Sequence, residues 1–112
     1  MIRVYVAGPI SKGNVMHNVY NAVVIGDLLM ARGFAPFVPH VMCLWDMISP
    51  HDYKEWTTWD NEWLKQCQAV YRMPGESPGA DQECKLAEIV GIPIFYSIDE
   101  LVKWEKTSLP SK

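Results

Sequence analysis

Residues 74–91 read PGESPGADQECKLAEIVG. The first half is a glycine- and proline-rich loop, and the second turns straight into a helix carrying Glu83 near its first turn. An apolar run, Gln68-Ala-Val-Tyr-Arg-Met73, precedes the stretch, and another, Ile92-Pro-Ile-Phe-Tyr96, follows it. Strand, loop, helix and strand make a βαβ unit whose loop lies at the carboxyl end of a strand, where open α/β sheets place ligands. Ser77, Gly79 and the unpaired N–H groups of the helix start form an anion site, reinforced by the positive end of the helix dipole. Asp81 and Glu83 can simply complement that dipole. A carboxylate aimed into the ligand region is the other reading, and the rest of the chain bears on it.

Outward from that unit, strands and helices alternate. Residues 2–7 are rich in β-branched and aromatic side chains and end at Gly8-Pro9, which marks a buried first strand. A helix is expected over 15–32, with Val15, Val19, Ala22, Val23, Leu28 and Leu29 on one face and Gly33 just past its end. A short strand at 34–38 leads into an irregular segment at 39–51. A tryptophan-rich helix follows at 52–67, its apolar face formed by Trp56, Trp59, Trp63 and Leu64. After the βαβ unit, Ser97-Ile-Asp-Glu100 is a capping box that opens a last helix at 98–106. The pattern predicts an α/β fold, a Rossmann-like three-layer sandwich around a small parallel sheet of about four strands with right-handed crossovers. It forms one domain over residues 1–106, with a frayed tail at 107–112.

Composition narrows the function. The chain has 112 residues, room for one core, and its 49% hydrophobic and 21% charged residues are those of an ordinary soluble globular domain. No apolar stretch approaches the roughly 20 residues that span a bilayer, and the chain enters its first strand without a signal peptide. Cys43, Cys67 and Cys84 are odd in number and widely spaced, which predicts reduced thiols in a cytoplasm and no metal pair. The net charge of −3 argues against a nucleic-acid polymer as partner but not against a nucleotide.

In a parallel sheet the loops after successive strands meet at one edge. Here they hold Gly8-Pro9-Ile10-Ser11-Lys12-Gly13, then His40, then Glu76-Ser77-Pro78-Gly79. The first is neither a Walker loop nor a G-x-G-x-x-G fingerprint, and by itself reads as turn chemistry. His40 has no second histidine at metal-ligand spacing, and a lone histidine is more often a hydrogen-bonded structural group. Asp60 lies beside Trp59, at the boundary between cleft and solvent. One of Trp45, Trp56 or Trp59 is placed to stack on a flat ligand, a contact that contributes roughly 1–3 kcal/mol per base.

These residues resemble the nucleoside 2-deoxyribosyltransferase superfamily, which also contains the 2′-deoxynucleoside 5′-monophosphate N-glycosidases, and most closely its small phage and bacterial branches. Tyr5-Val-Ala-Gly-Pro9 resembles the family's opening strand and turn. Asp60-Asn-Glu-Trp-Leu64 is similar to its acidic stretch before the third strand. Ser77-Pro-Gly-Ala-Asp-Gln-Glu83 fits its Ser/Asp-x-Gly-x-x-x-Glu signature, with Ala87 and Gly91-Ile-Pro93 following. The resemblance implies Glu83 as nucleophile, Asp60 as the second acid and Tyr5 as modulator of Glu83. It implies Gly8, Pro9, Ile10, Ser11, Lys12, His40, Ser77 and Gly79 as substrate-binding residues, with no cofactor or metal. The implied activity is cleavage of the N-glycosidic bond of a nucleoside 5′-monophosphate, with deoxyribosyl transfer between bases as alternative. A nucleotide-sensing module without turnover is a third reading, disfavoured by the acid pair. Ser77 stands where the transferases carry Asp, and Lys12 only approximates the first-loop Arg of the hydrolases. A homodimer or larger even homo-oligomer is also expected, through the Trp56–Trp63 helix.

Overall fold

The computed structural model describes residues 1–108, so residues 109–112 of the expected tail lie outside the described residues. Strand β1 spans Arg3–Ala7, β2 Ala35–Phe37, β3 Ala69–Arg72 and β4 Ile94–Phe95. They pair in parallel in the order β2-β1-β3-β4. Helix α1 covers Val15–Ala31, α2 Met42–Ile48, α3 Tyr53–Leu64, α4 Pro78–Val90 and α5 Ile98–Ser108. This is the expected parallel α/β architecture, and α5 runs on through Thr107 and Ser108 where a frayed tail was expected.

Strand alternation divides the core in two. Val4, Val6, Ala69 and Tyr71 face one side with Ala22 and Leu29 of α1 and Leu101 of α5. Tyr5, Ala7 and Val70 face the other with Leu64 of α3 and Ala80 and Ala87 of α4. Helices on both faces cover the sheet and leave its carboxyl edge to the loops. The chain visits β2 on one flank of β1 and then crosses to β3 on the other. The switch point therefore lies between the carboxyl ends of β1 and β3, the place where such sheets bind ligands.

Three expectations are corrected. The segment at 39–51 is not irregular: a 3₁₀ turn at Pro39–Val41 runs into α2. Helix α3 begins after Asp52, which caps it in a reciprocal box with Glu55, and stops at Leu64 rather than 67. Helix α1 meets the sheet through Ala22, Gly26 and Leu29, while Val15, Val23 and Leu28 are exposed together with Met16 and Tyr20. Small residues win there because the helix lies close to β2, and a Cβ on Gly26 would come within 3.0 Å of Val38 Cγ2. The exposed apolar helix surface thus sits on α1 more than on α3, where Trp56 is buried.

Close packing also marks the switch point. A Cβ on Gly8 would fall 2.9 Å from both Cβ and Sδ of Met73, so the ends of β1 and β3 approach as only glycine allows. Gly8→Ala should destabilise the chain by about 1–3 kcal/mol through overpacking. Urea unfolding checks this: a lowered midpoint with unchanged slope is expected, and an unchanged midpoint rejects it.

Candidate active site

Three side chains meet beneath the carboxyl edge. Tyr5, in the middle of β1, is fully buried, and its hydroxyl donates to Glu83 Oε2. Phe37 of β2, opposite Tyr5 in register, stacks on its ring with centroids 5.7 Å apart. Asp60 belongs to the buried stripe Trp56, Asp60, Leu64 of α3, spaced so that all three turn inward. It therefore lies in the middle of the packed face rather than at its boundary. Its Oδ1 is buried and has no hydrogen-bond partner.

Glu83 lies six residues past the cap Ser77, in the second turn of α4 rather than near the first. The helix dipole has weakened there. Burial decides its charge: it pushes the Glu83 carboxyl up to about 7, against the Tyr5 hydrogen bond and the Arg72 charge, which both favour the ionised form. Its place in the helix therefore does not by itself set the charge of Glu83. Asp60 is pushed up to about 8, first by burial and then by the charge of Glu83. The Tyr5 hydroxyl is held well above its ordinary value by burial and by both acids, so it remains a donor. At neutral pH the arrangement stores a proton on Asp60 and leaves a large ionised fraction on Glu83. Two acids whose environments separate their proton affinities are the basis for dividing acid and nucleophile roles.

The expected binding residues fall into two groups. Gly8 and Pro9 cross the switch point, and a Cβ on Gly75 of the β3–α4 loop would reach within 3.0 Å of Pro9 Cγ, so the two loops touch. Asn18 of α1 holds the rest of the first loop by donating to the carbonyls of Ile10, at 2.9 Å, and Lys12, at 2.6 Å. Ser11 is exposed, and the Lys12 ammonium, 3.7 Å from Glu76 Oε2, bridges the two loops at the surface. His40 is fully buried, with Nε2 3.1 Å from the Pro9 carbonyl, and burial lowers its proton affinity. A neutral ring donating from Nε2 orients the Gly8-Pro9 turn. Ser77 is buried too, and its hydroxyl accepts the Ala80 N–H at 3.1 Å as the cap of α4. Pro78 has no N–H, which leaves Gly79 as the donor at the helix tip without an intrahelical carbonyl.

Tyr53, Asp46 and Arg72 had no site role in the sequence reading, whereas the tryptophans were expected as stacking candidates. Tyr53 of α3 reaches the start of α4, where a Cβ on Gly79 would sit 3.2 Å from its hydroxyl. Trp45 meets Trp56 and Trp59 edge to face, at 5.3 and 5.8 Å, and Phe37 links Trp59 and Trp63 to Tyr5. An aromatic wall therefore runs from α2 to the acid pair, with Trp45 and Trp63 about half exposed, at 49% and 48%. Asp46 pins it by accepting the Trp56 indole N–H at 2.7 Å and the His51 N–H at 2.9 Å. Arg72 lies across the base of the β3–α4 loop. Two open clefts, of about 430 and 420 Å³, flank α4 and the β2 edge, and neither is lined by Asp60 or Glu83. Among the described residues no cluster of three or more His, Cys, Asp or Glu is placed to hold a metal. No described helix is long and apolar enough to cross a membrane.

Among solved structures, the chain is similar to the 2-deoxyribosyltransferase from the psychrotolerant bacterium Bacillus psychrosaccharolyticus, with a TM-score of 0.60. The two share 19% identity over 86% of this chain and 75% of that one, a likeness of fold. No curated protein matches the chain. A family model described as "Domain of unknown function (DUF7768)" matches residues 2–97, and the chain belongs to that family.

Proposed function

We propose that the protein cleaves the N-glycosidic bond of a nucleoside 5′-monophosphate through a covalent intermediate on Glu83, releasing the free base. The observation that carries this reading is the buried Tyr5–Glu83 hydrogen bond, with the buried Asp60 close enough to feel the charge of Glu83. A binding module gains nothing from two buried carboxyls, whose desolvation is costly.

The steps follow from the proton inventory. Glu83, ionised and oriented by the Tyr5 hydroxyl, attacks C1′ as the bond to the base nitrogen breaks. Asp60 gives its proton to the departing base, so the base leaves neutral and Asp60 becomes a carboxylate. Positive charge developing on the sugar is spread toward Glu83, and an ester joins C1′ to Glu83. Water then attacks C1′ and passes a proton to Asp60, and Glu83 departs as a carboxylate. Both acids are restored. The base stacks on the wall around Trp45 and Trp59, while the Gly79 N–H and Lys12 receive the 5′ end.

A second reading, transfer of deoxyribose to another base, is favoured by the fold shared with the 2-deoxyribosyltransferase. It differs only in the acceptor of the second half-reaction. The test is release of free base from a panel of ribo- and deoxyribonucleosides and their 5′-monophosphates, with and without a second base. Hydrolysis predicts free base alone and a preference for monophosphates. Two charge-assisted hydrogen bonds, at roughly 1.5–3 kcal/mol each, give a preference of about a hundredfold or more. Lys12→Ala should reduce that preference and its salt sensitivity. Equal kcat/KM for matched nucleoside and monophosphate removes the phosphate site and leaves transfer. No base from any substrate rejects both readings.

A further inference from the structure

Arg72 ends β3 on the strand face that Val70 shares with α4, where alternation would ordinarily place an apolar side chain. Its side chain is 11% exposed. The guanidinium donates through Nη1 to the Met73 carbonyl and through Nη2 to the Gly75 carbonyl at 3.1 Å and the Asp81 carboxylate at 3.0 Å. One planar group therefore ties the end of β3, the apex of the loop and the first turns of α4. Gly75, at φ 111°, lies in a backbone region that glycine favours and packs on Pro9. The tie thus reaches the first loop as well.

We infer that Arg72 is a positioning residue of this site, fixing the β3–α4 loop in its turn and setting a positive charge near Glu83. The fork is what the clamp uses: three acceptors in different directions suit a guanidinium and exceed what one ammonium can meet with the same geometry. The charge is the second effect. The Tyr5 hydroxyl from β1 and the Arg72 charge from β3 act on Glu83, and Glu83 in turn acts on Asp60 of α3 and on Cys84 of its own helix. Arg72 opposes the burial that raises Glu83, so it enlarges the fraction of carboxylate near neutral pH. Its consequence for turnover rests on the glycosidase reading above, whereas the clamp and the charge effect do not.

The decisive experiment is a carbon-13 NMR titration of the Glu83 carboxyl, assigned by its loss in Glu83→Gln, in wild type, Arg72→Met and Arg72→Lys. Amide hydrogen exchange over residues 75–80 is measured in the same three proteins. Wild type should titrate near 7, and Arg72→Met should titrate higher. Arg72→Lys should keep a midpoint close to wild type, yet its loop amides should exchange at least about tenfold faster because the fork is gone. An unchanged midpoint in Arg72→Met overturns the proposal, as does wild-type exchange in Arg72→Lys. If Arg72→Met does not fold, the exchange of Arg72→Lys decides alone. These readouts need no turnover, so a chain that releases no base but shows both shifts loses the glycosidase reading and keeps this one. A chain that releases base with neither shift does the reverse.

Discussion

Glu83→Gln should lower base release by several orders of magnitude, as expected when a covalent nucleophile is removed. The substitution preserves size, and the Gln oxygen can still accept the Tyr5 hydroxyl, so packing and ligand binding survive. Only the ionised oxygen that attacks C1′ is lost. The check is kcat on the best substrate of the panel, with affinity measured separately by calorimetry. A glycosyl-enzyme ester, detected by mass spectrometry after a rapid acid quench, should appear in wild type and be absent from the variant. Tyr5→Phe makes a graded companion. Without the hydroxyl Glu83 loses a donor that favours its charged form, so the acid limb of the pH profile moves upward. An active Glu83→Gln ends the glycosidase reading.

Local chemistry made most of the fold readable. Gly8-Pro9 after an apolar run, Gly33 and Gly91 in positive φ at helix ends, and Ser77 before Pro78 each fix a boundary through one or two residues. The strand runs are short and apolar because both faces of the sheet are covered. What the sequence hid was decided at a distance. Helix α2 buries no residue, so no core-facing stripe announces it, and it is held by Trp45 against Trp56 and Trp59 and by Asp46 on the Trp56 indole. The face of α1 was right at Ala22 and Leu29 and wrong at Val15, Val23 and Leu28, because apolar residues surround that helix. Its true contact is set by Gly26 against Val38.

The members of the candidate site are proposed from the sequence, and its electrostatics are not legible there. Tyr5, Asp60 and Glu83 could be named from the family resemblance, and the spacing Trp56, Asp60, Leu64 already turns Asp60 inward. The charge state of Glu83 is set first by burial, which a helix position read from sequence does not show. His40 and Ser77, candidate binding residues in sequence, are both buried, with His40 Nε2 on the Pro9 carbonyl and its Nδ1 without a partner, and the Ser77 hydroxyl on the Ala80 N–H. Arg72 carried a signal that strand alternation could have exposed: a cation facing α4 at the end of β3, one turn of chain before the glycine-rich loop.

Asp60→Asn exchanges activity for stability, and the two effects share one cause. In wild type kcat/KM should rise as Glu83 loses its proton near 7 and fall as Asp60 loses its own near 8, which gives a narrow bell. The variant has no proton to give, so the alkaline limb disappears. Substrates with poor leaving bases should slow by roughly 10²–10⁴-fold, while a nitrophenyl riboside, whose leaving group departs without help, should change little. The sign of the stability effect comes from linkage. An unfolded Asp releases its proton near about 4, whereas the folded site holds it to about 8. Between those values the folded state binds more protons than the unfolded chain, so wild-type stability falls as pH rises through that window. Below it the group adds no penalty, and above it the full cost of a buried charge beside Glu83 remains. Asn resembles the protonated acid and carries no such cost. Melting temperatures of the two proteins should therefore lie close together near pH 4 and diverge toward pH 8, with the variant higher by on the order of several degrees. A pH-independent difference, or equal loss on activated and poor substrates, would assign Asp60 a packing role and leave the base to be protonated from elsewhere.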